Sequence, residues 1–146
     1  MEYPHEYLTM VSGYIRHDFG SVVIRSLTFQ TNIRMHGPFG EEKGGFFCCT
    51  LICSKIIGFY GRSGAHLDSI GVNSEPISCS GPFEFIEPFG SRGGSPWDDG
   101  IHAEVREINV RAGSDSDSVT FEYENNGSTV QSTKQGGSGG GKTCKV

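Results

Sequence analysis

Three short segments of this 146-residue chain follow one pattern, Arg25-Ser-Leu-Thr-Phe29, Asp68-Ser-Ile-Gly-Val72 and Asp117-Ser-Val-Thr-Phe121. Each is a charged residue, a Ser and then alternating apolar positions, which is the period of a strand. A Gly precedes each segment, at Gly20, Gly64 or Gly113. The second Gly of a Gly-Gly pair follows 20, 26 or 23 residues after the charged residue, at Gly45, Gly94 or Gly140. Two of these Gly loops match further, Gly37-Pro-Phe-Gly40 through Gly44-Gly45 against Glu87-Pro-Phe-Gly90 through Gly93-Gly94, while the third reads Gln135-Gly-Gly-Ser-Gly-Gly140. The pairs lie 49 and then 46 residues apart, so three such units account for the whole chain. A period of this length means one supersecondary unit per copy, each burying its apolar face against its neighbours.

The β-formers Ile (11), Val (9), Phe (10) and Thr (8) outnumber the helix-formers Ala (3) and Leu (4), and 22 Gly make long helices costly. Strand alternation is plain in Glu107-Ile-Asn-Val-Arg111 and Val119-Thr-Phe-Glu-Tyr123, and Asn126-Gly127 is a hairpin turn signal. At roughly 10 to 12 residues per strand and turn, each unit holds about four strands. The expectation is an all-β fold in which three four-stranded antiparallel sheets pack around a pseudo-threefold axis, a β-prism.

Several function classes fall away on composition. A net charge of −5 without a basic stretch leaves no electrostatic footprint for nucleic acid or a membrane surface. No run approaches 18 apolar residues, and the Met1–Tyr7 segment carries two Glu and a Pro where a secretory signal needs a basic start and an apolar core. No membrane insertion or export is expected. Cys48, Cys49, Cys53, Cys79 and Cys144 are odd in number and two are adjacent, so reduced thiols in a cytoplasmic setting are the expectation. Cys49-x-x-x-Cys53 has no second partner pair among His5, His17, His36, His66 and His102, so no metal and no other cofactor is expected. The acidic pairs Asp98-Asp99 and Glu41-Glu42 are adjacent on strands and point to opposite faces, which makes poor opposed acids and bases. With no Ser-His-Asp motif or P-loop either, a binder is expected and not an enzyme.

Beyond the repeats, Ser91-Arg-Gly-Gly-Ser-Pro-Trp-Asp-Asp-Gly100, Thr31-Asn32, Gly37-Pro-Phe-Gly40, Pro4-His-Glu-Tyr7 and Gly58-Phe-Tyr-Gly-Arg-Ser-Gly-Ala-His-Leu-Asp-Ser-Ile-Gly71 occur together. In these segments nearly the whole chain resembles the jacalin-related lectins of plants, in which Gly-x-x-x-Asp and a Gly-Gly loop build a sugar site. The order departs from that family, whose chains usually begin near the Gly-Gly-Ser-Pro-Trp-Asp stretch and end near Ile70-Gly-Val72. Here those ends are joined by the segment 73–89, while Val146 would run on into Glu2-Tyr-Pro-His-Glu6. The resemblance therefore implies a single lectin domain over residues 1–146, circularly permuted or cut out of phase from a tandem array.

The resemblance also implies two carbohydrate sites. The first comprises Gly94 with Ala65, His66, Leu67 and Asp68, and the second Gly140 with Ser114, Asp115, Ser116 and Asp117. A carboxylate accepts hydrogen bonds from two neighbouring hydroxyls at once, in the family the 4- and 6-hydroxyls. Backbone N–H groups of Ala65 and His66, or of Ser114 and Asp115, would donate to the 5- and 6-oxygens, and Gly94 or Gly140 to the 3-oxygen. Gly113-Ser-Asp-Ser-Asp117 offers two aspartates and leaves the register of the second site open. The third unit has Arg25, which donates only, beside Glu41, Glu42 and Lys43, so this site is expected to be silent toward mannose. Galactose-preferring members carry a cleaved Gly loop, whereas Gly90 to Gly94 are continuous here, so mannose, glucose and high-mannose N-glycans on glycoproteins are the expected partners. His66, Tyr60, Arg62 and Phe89 are candidates for contact with a second ring. A sheet edge is available for a homodimer. The rival reading is a glycan-independent protein-interaction module on an inert prism.

Overall fold

The computed structural model describes residues 1–2, 5–18, 21–51, 53–77 and 84–146. Pro4, Gly20, Cys79 and the middle of the 73–89 segment lie outside the described residues.

Each sequence unit folds into its own sheet. The first holds β1 (Leu8–Asp18), β2 (Ser21–Thr31), β3 (Met35–Gly40) and β4 (Gly45–Thr50), in the order β3-β2-β1-β4. The second holds β5 (Ser54–Ser63), β6 (Leu67–Pro76), β7 (Glu84–Gly90) and β8 (Ser95–Asp98), in the order β7-β6-β5-β8. The third holds β9 (Glu104–Ala112), β10 (Ser116–Asn125), β11 (Ser128–Gln131), β12 (Gln135–Gly136) and β13 (Lys142–Lys145), on the path β11-β10-β9-β13. Every pairing is antiparallel. In each sheet the fourth strand returns to lie beside the first, which is a Greek key. The third sheet departs from the four-strand expectation: its third strand is split, with β11 and β12 both pairing β10.

The alternation read in the sequence becomes the core. Ile108, Val110, Val119, Phe121 and Tyr123 are buried from the third sheet, Leu27 and Phe29 from the first, and Phe59, Ile70 and Val72 from the second. Where the sheets meet, Phe59 stacks on Phe121 with centroids 4.2 Å apart, and Phe29 meets Phe59 edge-on at 6.3 Å. The faces are thus sealed by aromatic pairs from three different units.

The Asn126-Gly127 turn joins β10 to β11 with both residues at positive φ, 48° and 85°, as a two-residue hairpin of that hand requires. Within the 73–89 segment, β6 extends to Pro76 and β7 begins at Glu84, so its two ends are paired strand and not linker. Among the described residues no helix is long and apolar enough to cross a membrane.

Candidate functional site

The turn between β5 and β6 lies at the same end of its sheet as the loop between β7 and β8. Arg62 pairs with Ser69 and Ser63 with Leu67, so Asp68 is the extra residue of a β-bulge at the start of β6, next to the core residue Leu67. The Gly64 N–H donates to the His66 carbonyl at 3.0 Å and closes the turn. From the other side the Ser91 N–H donates to the Asp68 carbonyl at 2.9 Å, so the loop starts on the aspartate's own backbone. The loop then folds over the side chain: a Cβ at Gly93 would lie 2.8 Å from Asp68 Oδ1, and one at Gly94 2.6 Å from Oδ2. Gly94 has φ +62°, and its Cβ would also collide with the Ser63 carbonyl oxygen. Neither steric room nor dihedral admits another residue there.

The third sheet repeats this construction. The Gly113 N–H donates to the Asp115 carbonyl at 3.0 Å, and the Gly137 N–H to the Asp117 carbonyl at 2.9 Å. A Cβ at Gly139 would lie 2.7 Å from Asp117 Oδ1, and one at Gly140, with φ +76°, 2.7 Å from Oδ2. Of the two aspartates, Asp117 therefore faces the Gly loop. The Asp115 carboxylate is occupied by Arg16, which donates from Nε at 3.0 Å and from Nη2 at 2.6 Å.

In the first sheet the corresponding residue is Arg25, whose carbonyl oxygen lies against Gly40 as those of Asp68 and Asp117 lie against Gly90 and Gly136. Its Nη2 pairs with Glu41 at 2.9 Å, and Lys43 approaches the same carboxylate at 3.5 Å. At the place of Gly93 and Gly139 this loop carries Lys43, whose side chain is exposed. Counting from Gly40 also moves the Gly register by one: the positive-φ residue against the first strand is Gly44, at +109°, and not Gly45.

The remaining sequence-predicted residues divide into backbone and side chain. Ala65, His66, Ser114 and Asp115 are in the two turns, and all but Asp115 are exposed. Leu67 is fully buried in the core, and Ser116 is buried with its hydroxyl donating to the Phe39 carbonyl at 2.5 Å, so at these two positions only the main chain is available to a site. Sequence reasoning missed the role of a pair of arginines. Arg62 donates from Nε to the Gly93 carbonyl and from Nη2 to the Gly94 carbonyl, both at 3.0 Å, and Arg111 donates to the Gly140 carbonyl at 3.0 Å. The signal was present, since each Arg stands six residues before its Asp.

Burial pushes the Asp68 carboxyl above the ordinary aspartate range, against the opposing fields of His66 and Arg62. Burial does the same to Asp117, aided by Asp115 and opposed by His66, Arg111 and Arg16. His66 thus acts on both carboxylates. The turn carrying it rests on the other sheet's loop, where a Cβ on Gly137 would lie against the Ala65 carbonyl oxygen and Ser63 Oγ donates to Gln135 Oε1 at 2.9 Å. Two half-desolvated acceptors, each framed by main-chain groups, suit a neutral polyhydroxylated ligand.

Comparison with known proteins gives the family. The family model for the jacalin-like lectin domain matches residues 1–73 and 86–146. Jacalin-related lectin 3 of Arabidopsis thaliana is 33% identical over 96% of this chain and 32% of its own length. A mannose/glucose-specific lectin of Parkia pendula is 39% identical over 80% of this chain and 26% of its own length. An agglutinin of Castanea crenata is 34% identical over 96% of this chain and 49% of its own length. The chain spans about a quarter to a half of the length of these relatives.

Proposed function

The chain belongs to the jacalin-like lectin domain family, and from that premise we propose that it binds mannose or glucose residues at two sites, one around Asp68 and one around Asp117. The family and these relatives are lectins, which places the chain among binders and not enzymes. One observation carries the two-site reading: the same carboxylate-on-glycine arrangement is built twice, in sheets two and three, while the first sheet closes its copy with an Arg25–Glu41 ion pair. Each carboxylate accepts from two adjacent sugar hydroxyls. The N–H groups of Ala65 and His66, or of Ser114 and Asp115, donate to the 5- and 6-oxygens, and that of Gly94 or Gly140 to the 3-oxygen. The named specificity of the Parkia relative and the unbroken chain through Gly90 to Gly94 both support mannose or glucose over galactose.

About six hydrogen bonds, each exchanged against water, give an affinity on the order of millimolar for a monosaccharide. Avidity at branched high-mannose N-glycans then supplies useful strength, through two sites per chain and through any homodimer. The odd number of cysteines, two of them adjacent, supports reduced thiols and a cytoplasmic setting.

The same reading takes residues 1–146 as one domain with permuted ends. The hydrogen bond from Lys145 Nζ at 2.8 Å is the main influence that lowers Glu107, and the amino-terminal charge adds a smaller field in the same direction. The family match leaves out residues 74–85, inside the segment that would join the family's usual ends.

Calorimetric titration with methyl α-mannoside and a branched mannose oligosaccharide tests the proposal on the parent, Asp68→Ala, Asp117→Ala and the double variant. Partial loss in each single variant and complete loss in the double is the expected result. A folded parent that binds neither sugar would leave the prism as a glycan-independent scaffold.

A further inference from the structure

The outer face of the second sheet carries a groove of about 360 Å³, lined by Tyr60, Gly61, Arg62, Pro88, Pro96, Trp97 and Asp98. It is a separate place from the Asp68 carboxylate, yet the two share Arg62. Arg62 lines the groove while its Nε and Nη2 hold the carbonyls of Gly93 and Gly94, the loop that covers Asp68. With those N–H groups committed along one edge, the guanidinium is fixed in place and offers its flat face, a surface on which aromatic rings stack.

Tyr60 is fixed in the same way. Its hydroxyl donates to the Ile86 carbonyl at 2.6 Å and its ring lies over Gly71, where a Cβ would come within 2.8 Å of it. Pro88 and Pro96 add two more exposed rigid faces. The walls are therefore flat, mostly apolar and already ordered, which lowers the entropy lost when a planar group enters.

The pseudosymmetry supplies an internal comparison. In the second sheet Arg62 pairs with Pro96 and Tyr60 with Asp98. In the third, Arg111 pairs with Thr143 and Asn109 with Lys145. The arginine that pins the Gly loop is kept, but the aromatic and the proline are replaced by Asn and Thr, and the acidic residue by Lys. The second sheet alone of the two provides a stacking shelf beside its carboxylate.

We propose that this groove is a subsite for an aromatic aglycone, so that the Asp68 site prefers aryl mannosides to alkyl ones while the Asp117 site does not discriminate. The proposal rests on the sugar-binding reading above and adds a substrate class to one of its two sites. An aryl group attached to a sugar held at Asp68 reaches over the Gly93-Gly94 loop and lies between Tyr60, Arg62 and Pro96. A phenolic hydroxyl on that ring would find the exposed Asp98 carboxylate as its acceptor.

Titration of the full chain with methyl α-mannoside and 4-nitrophenyl α-mannoside tests it. In Asp117→Ala, which leaves the Asp68 site, the aryl glycoside should bind about fivefold to tenfold more tightly than the methyl glycoside, as burial of one ring face gives. In Asp68→Ala the ratio should be near one. Tyr60→Asn and Pro96→Thr, each installing the residue found at the matching place in the third sheet, should bring the ratio in the Asp117→Ala background toward one while methyl α-mannoside still binds. Methyl α-mannoside binding with no aryl preference, or with the same preference at both sites, would overturn the subsite and leave the lectin reading standing. Failure of the folded parent to bind either glycoside would overturn both.

Discussion

Asp68 is 7% exposed, and burial raises its carboxyl and that of Asp117 above the ordinary range. The sign of the consequence is fixed: a carboxyl raised on folding holds its proton more tightly in the folded chain, so its ionised form opposes stability above the folded pKa, and the opposition disappears as pH falls toward the unfolded value of about 3.9. Asp68→Asn and Asp117→Asn should therefore leave the melting temperature at neutral pH unchanged or higher while abolishing sugar binding at the altered site, which thermal denaturation and titration measure side by side. Binding needs the ionised acceptor, so affinity should fall on acidification at a less acidic pH than a solvated aspartate would give. Titrations between about pH 3.5 and 7 check this. A site destabilised in the service of function is a common trade. At this scale the sequence was informative about where Asp68 and Arg25 stand, because the repeat put them in one column. It was ambiguous between Asp115 and Asp117, since the residue that decides, Arg16, lies 99 positions away in another sheet.

At the scale of elements, two described turns lean on the loop of a neighbouring sheet, as Ala65 does on Gly137 and as the Ser114 carbonyl does in accepting from the Glu41 N–H at 3.0 Å. Gly137→Ala places a methyl against a main-chain oxygen that cannot rotate away. It should cost about 1 to 3 kcal/mol of stability in chemical denaturation and weaken both sugar sites, because the loop of one and the turn of the other must separate. Gly94→Ala should weaken the Asp68 site alone, with heteronuclear spectra showing the Asp117 loop undisturbed. The strand elements, and their number in the first two sheets, were legible from alternation, and the β10–β11 hairpin from the Asn126-Gly127 signal. The Gly register in the first unit was not: matching Gly44-Gly45 to Gly93-Gly94 as pairs hides that the geometry counts from Gly40, Gly90 and Gly136, each four residues before the Gly that meets the first strand. Nor does any periodicity reveal that the third unit splits one strand into β11 and β12.

The whole molecule is held by three sheets that none could replace alone, and its first residues are tied in by charge. Glu6 is buried, and although burial disfavours its ionisation, the Thr31 hydroxyl, His36, the Glu2 N–H and Arg34 together hold its pKa at about 2. Because that pKa is depressed on folding, its contribution is present above the unfolded value of about 4.3 and is lost as pH falls toward 2. Glu6→Gln should lower stability at pH 7 by about 1 to 3 kcal/mol, and the difference from the parent should shrink between about pH 4.3 and 2 in acid-denaturation curves. Permutation makes a prediction of its own: linking Val146 to Met1 and opening the chain between Ile77 and Glu84 should preserve the fold and both sites, since every described strand pairing is retained. The threefold plan was readable because the units repeat, whereas the Glu6 cluster joins residues from separated, non-repeating segments and had no such signature.

Two of the three equivalent places should bind sugar and the third should not. Heteronuclear amide spectra recorded during titration with methyl α-mannoside test this at every place at once. Saturable shifts are expected at Ala65, His66 and Gly94 and at Ser114, Asp115 and Gly140, with Glu41 and Gly44 moving no more than remote residues. Shifts confined to one group, or shifts of equal size at Gly44, would contradict it.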